Sequence, residues 1–171
     1  MKNPFLLLIL LGAVLAAIVL ALSPSENPSA IEKLVPKAIE GFSLVDRIER
    51  VEPGFIEQGE LYSSHASFAP VSGSEYEKQV EMLGIAIFLF KNEQGAKQVK
   101  ALLLSNAKPE IVKVSNQSVY LFSNEEGDQV GILWQEKKLI YEILVTAPKE
   151  GEVNMEFLKR AALAAAQAVL K

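Results

Sequence analysis

The chain has a single histidine, His65, in the run YSSHAS, with Ser63, Ser64 and Ser67 around it. Imidazole is the usual general base for a serine nucleophile, so that chemistry has one candidate base here. Side chains alternate along an extended strand, which puts His65 on one face with Ser63 and Ser67 and leaves Ser64 on the other. A working nucleophile also needs a third group that orients the base, and no G-x-S-x-G elbow occurs to present a serine. His65 is therefore expected on a surface or edge strand, with a catalytic or pH-sensing role as the alternative, and no catalytic residue is assigned.

Metal chemistry has little to work with. The absence of cysteine removes disulfides, thiolate zinc sites and iron–sulfur clusters, and one histidine leaves a transition metal dependent on carboxylates that do not cluster at ligand spacing. The acidic run NEEGD, Asn124 to Asp128, lacks the twelve-residue loop and closing glutamate of an EF-hand and reads as a hairpin turn. Phosphate loops and H-E-x-x-H are absent, so neither a cofactor nor a metal is expected. Glu57, Glu60 and Glu142 cannot be placed relative to one another from the sequence.

Two further patterns remain. Tyr120, Phe122, Trp134 and Tyr141 fall on neighbouring expected strands; gathered on one sheet face they would line a pocket for an apolar or sugar-like ligand, although core packing is the simpler account, with Trp134 filling space beneath a helix. Asn116 opens a formal glycosylation sequon, NQS, in an expected turn.

These residues need a framework. The 171-residue chain has room for one apolar segment and one ordinary domain. All but one of its 17 basic residues, and all 21 acidic ones, follow residue 22, so the rest is mildly acidic with no basic stripe, and nucleic acid is not an expected partner. Phe5 to Leu22 carries no charge and would span about 27 Å as a helix, close to one bilayer crossing. Pro24 spoils the best small-residue cleavage site, so residues 1–22 are expected to stay as an anchor, with a secreted or periplasmic product if they are cut. Gly12 and Ala16 have the spacing that lets membrane helices approach. Residues 23–30, SPSENPSA, read as an extended spacer, and residues 31–171 as the extracytoplasmic domain.

Within that domain IEKLVPKAIEGF reads as a short helix broken at Pro36 and ending at Gly41. Phe42 to Val51 reads as a strand with Phe42, Leu44, Asp46 and Ile48 on one face, and the stretch around His65 as a half-buried strand. Val80 to Phe90 is apolar at both parities, as in a mid-sheet strand covered on both sides. A helix capped by Asn92 follows, with Ala96, Val99, Leu102 and Leu103 inward and Gly95 costing little in a frayed first turn. Four short strands separated by SNQS, NEEGD and EKK form a meander, and Asn154 caps a last helix whose Leu158, Ala161, Ala162, Ala165 and Val169 face the core.

The expected fold is α+β: a transmembrane helix, then one antiparallel sheet of six or seven strands packed by a middle and a C-terminal helix. In element order this is similar in outline to small exported α/β/α sandwiches of the PsbP-like kind, a resemblance that implies a fold and no function. A membrane-tethered domain that binds a protein partner or small ligand at the cell envelope is the leading expectation. An exported hydrolase-like enzyme using His65 or carboxylates, and an assembly subunit acting through its membrane helix, are the alternatives.

Overall fold

The computed structural model describes residues 31, 33–105, 107–150 and 152–171. The expected anchor at 5–22, its Gly12 and Ala16, and the spacer at 23–30 lie outside the described residues. Among those described, no helix is long and apolar enough to cross a membrane.

Seven antiparallel strands form one sheet: β1 Phe42–Val51, β2 Glu60–Pro70, β3 Met82–Phe90, β4 Glu110–Val114, β5 Gln117–Ser123, β6 Gln129–Glu136 and β7 Leu139–Thr146. Their order is β1-β2-β3-β7-β6-β5-β4. Among the described residues two longer helices complete the α+β fold, α1 Glu93–Leu104 between β3 and β4, and α2 Met155–Val169 at the end. The meander β4 to β7 follows the expected turns, and β7 returns to pair with β3 across a long stretch of sequence.

Strand parity divides the sheet into two faces. On one, Leu83, Ile85, Ile87, Val130, Ile132, Ile143 and Val145 join Leu158, Ala161, Ala162, Ala165 and Ala166 of α2 in one core, all almost inaccessible to solvent. Small side chains on α2 let it lie close on the sheet. Asn154 caps it as expected, its Oδ1 accepting from the Glu156 N–H at 3.1 Å. The same face under β1 and β2 is covered by Ile31, Val35 and Ile39 from the preceding segment and by Tyr76 and Val80. That segment is turn-rich from Lys33 to Gly41 rather than helical, ending in a bridge between Ile39 and Phe42. Gly41 takes φ 80°, which only glycine adopts without strain.

The opposite face carries α1, whose Ala96 and Val99 pack on Phe88, Phe90, Leu133 and Ile140. Asn92 Oδ1 accepts from the Gly95 N–H at 2.9 Å, the expected cap. Two details depart from expectation. Leu102 is 56% exposed, because the inward stripe runs from Ala96 through Val99 to Leu103. Gly95 is not a tolerated defect in a frayed turn: a Cβ there would stand 1.9 Å from the backbone oxygen of Gln58, in the 3-10 turn Ile56–Gln58 that packs against α1.

β1 also departs from simple alternation. Leu44 pairs with Phe68, but a bulge at Val45 inserts one residue, so Asp46 pairs with Ser67 and Ile48 with His65. Phe42 and Leu44 therefore belong to the α2 face, and Asp46 and Ile48 to the α1 face. Arg47, returned to the α2 face, donates from Nη2 to the Val35 carbonyl at 2.7 Å.

Candidate functional site

α1 covers only half of its face. Its first turns sit over Phe88, Phe90 and Ile140, while Met82 at the opposite end of β3 and Ile48 on β1 are 43% and 50% exposed. Antiparallel register builds a row across this open half: Ile48 on β1 beside His65 on β2, His65 beside Ala86 on β3, and Ala86 beside Glu142 on β7. His65 and Glu142 thus flank a floor made of Ala86 and Gly84, with their backbones about 10 Å apart from two interstrand spacings. A hollow of about 190 Å³ lies between them, also lined by Ser67 and Leu144. Leu144 lines a second hollow of about 200 Å³ as well, walled by Phe122, Leu103 and Gly131, so the two adjoin along the open half-face.

His65 is half-buried. Its Nε2 lies 3.0 Å from Ser63 Oγ, and its ring meets Phe88 edge-on at 5.7 Å. Burial pulls its pKa below the ordinary 6.5, partly offset by the Glu60 carboxylate, which favours the imidazolium. The serine contact has the length of a nucleophile–base pair, but Ser63 is only 2% exposed and no substrate atom can reach it. Ser64 is fully buried on the other face. Ser67 shares the hollow with His65, as the alternation predicts.

The carboxylates separate by role. Glu60 is buried, and its Oε2 accepts from the Gly54 and Phe55 N–H groups at 3.0 and 2.8 Å. This fixes the loop that sets Phe55 edge-on against Phe88. Glu142 has no such task. It is partly buried beside the Ala86 floor, no hydrogen bond or ion pair engages its carboxyl among the described residues, and burial alone pushes its pKa above the usual 4.5. A partly desolvated acid without a counter-charge costs some stability in a folded protein, and its place in a hollow makes it a candidate site residue. Among the described residues, no cluster of three or more His, Asp or Glu side chains could hold a metal ion.

No protein-family model matches this chain, and no curated protein is significantly similar to it.

The four aromatics do not share a face. Trp134 and Tyr141 stack at 4.6 Å with parallel rings inside the α2 core, 1% and 5% exposed. Burial, with Glu136 adding to it, pushes the Tyr141 phenol up to about 12. Tyr120 and Phe122 project from the α1 face, Tyr120 with the Lys100 ammonium 5.6 Å above its ring and Phe122 against the second hollow. Phe122 also closes over Gly131, where a Cβ would meet its ring at 2.3 Å. A single pocket lined by all four is thus ruled out by strand parity, and Phe122 alone of the four borders the open half-face hollows. Asn116 is exposed in the two-residue turn between β4 and β5, where Ser115 takes φ 54°. NEEGD is the expected hairpin turn, with Asn124 Oδ1 accepting from the Gln129 N–H and Gly127 at φ 73°.

Sequence reasoning missed Glu142 as a site residue. The only available signal was a lone acid inside LIYEILVT, an otherwise apolar strand.

Proposed function

We propose that this is a non-enzymatic ligand-binding domain held at the cell envelope by the apolar segment 5–22, with its ligand seated on the open half of the α1 face. The observation that carries the reading is the placement of Glu142, an unpaired and partly buried carboxyl group lining a hollow that α1 leaves uncovered. A structural surface would present a carboxylate to water or pair it; a binding site keeps one for a partner that arrives later. Ser63, the serine within hydrogen-bond range of His65, is inaccessible, and Ser67, which shares the hollow, makes no hydrogen bond to His65 among the described residues. The serine–base pair that would favour a hydrolase over a binding module is therefore not presented to a substrate. The tether rests on the length and apolarity of 5–22.

One preparation tests both parts. The full chain is expected to stay with membranes through an alkaline carbonate wash. Recovered in mild detergent with labelled methyl groups, it is expected to show ligand-induced shifts at Ala86 and Leu144 in a screen of small amines, acids and alcohols. Release by the wash contradicts the tether, and shifts confined to other parts of the domain contradict the site.

A further inference from the structure

We infer that the hollow between His65 and Glu142 is a site for a small organic amine, whose ammonium group pairs with the Glu142 carboxylate while its apolar body lies over Gly84 and Ala86 toward Leu144. This rests on reading the open half-face as a ligand site, and names the chemistry of the ligand.

The argument is one of charge complementarity. The residues lining the hollow are His65, Ser67, Glu142 and otherwise glycine, alanine, isoleucine and leucine. None is a lysine or arginine. On α1, the helix packed over this face, Lys97 is paired with Glu93 at 2.9 Å and Lys100 sits over Tyr120. The cation that would repay the desolvation of Glu142 therefore comes from outside the described domain. Its other requirements follow from the walls: an apolar floor suits a hydrocarbon body, and His65, inclined to neutrality by burial, offers a ring without repelling a cation.

A metal ion fits less well. It needs four or more donors at close range, whereas the hollow offers one carboxyl, one imidazole and one hydroxyl across the width of three strands. Size narrows the choice further, since about 190 Å³ is smaller than the roughly 300–1,000 Å³ of sites that take drug-sized ligands. One charged nitrogen on a short apolar body is what the space and the lining suit.

The test compares benzylamine, benzyl alcohol and benzoate on the full chain in mild non-ionic detergent at pH 7, read by the methyl signals of Ala86 and Leu144 and the ring signals of His65. Benzylamine is expected to shift all three saturably, with benzyl alcohol at least tenfold weaker and benzoate without effect. Glu142→Gln is expected to weaken benzylamine at least tenfold, and Glu110→Gln, an exposed acid on β4, to leave it unchanged. Ala86→Leu, which keeps the carboxylate and fills the floor, is expected to abolish binding and so separates loss of the site from loss of charge. Equal binding of the alcohol or tighter binding of benzoate at these residues overturns the amine assignment and leaves the ligand site standing. No response at these residues from any of the three overturns both.

Discussion

Trp134→Ala is expected to destabilise the domain by about 3–5 kcal/mol, a large part of the roughly 5–15 kcal/mol that holds a domain of this size together. Trp134 is 1% exposed and lies flat against Tyr141, so truncation removes both the buried area and the ring contact and leaves a cavity beneath α2. Its indole N–H has no hydrogen-bond partner among the described residues. Trp134→Phe keeps an aromatic ring on Tyr141 while deleting that unsatisfied donor, and is expected to cost well under half as much. Urea unfolding followed by circular dichroism measures both. Near-equal losses for the two variants, or no loss for alanine, would mean that Trp134 is not the core residue described.

Gly95→Ala is expected to cost about 3 kcal/mol, at the upper end of overpacking effects. In an exposed helix position the same change gains up to about 1 kcal/mol, so the sign itself is diagnostic. The reversal comes from the Gln58 carbonyl, 1.9 Å from the added methyl group. A backbone oxygen cannot rotate away as a side chain can. Either α1 loses its first turn, with the Asn92 cap, or the Ile56–Gln58 turn lifts and takes Phe55 off Phe88. Amide exchange of the α1 first turn and of residues 55–60 is expected to accelerate along with the loss of stability. A variant as stable as the parent would show that the two backbones are not in contact.

Legibility of this fold in its sequence followed the range of the forces involved. Both helix caps, Asn92 and Asn154, and the three meander turns are local chemistry, and they stand where short-range signals put them. β1 misled because a bulge at Val45 leaves no mark in an apolar alternation, yet it moves Ile48 to the opposite face from Phe42. Gly95 misled because its constraint is a carbonyl 37 residues earlier in the chain. Parity told which residues of one strand share a face; it could not tell which face of the next strand they join. That is register, and it separates Tyr120 and Phe122 from Trp134 and Tyr141. The same long-range pairing, β2 to β3 to β7, brings His65 and Glu142 to the two sides of Ala86. No local pattern carries that adjacency.

The site hypothesis depends on Glu142 being an acid kept at the expense of stability. Folded Glu142 holds its proton to higher pH than the unfolded chain does, because burial disfavours the carboxylate. Its contribution therefore turns against folding as pH rises from about 4.5 through its folded value, and stays unfavourable above it. Glutamine has nothing to titrate there, while His65 titrates alike in both proteins and cancels from the comparison. The decisive measurement is the unfolding free energy of the wild type and of Glu142→Gln, without added ligand, from pH 4 to pH 8. Matching stabilities at the acid end, with the glutamine variant becoming the more stable as pH rises, is the predicted result. A glutamine variant less stable than the wild type at pH 7 would contradict it, showing that the carboxylate has a structural partner and is not held free for a ligand.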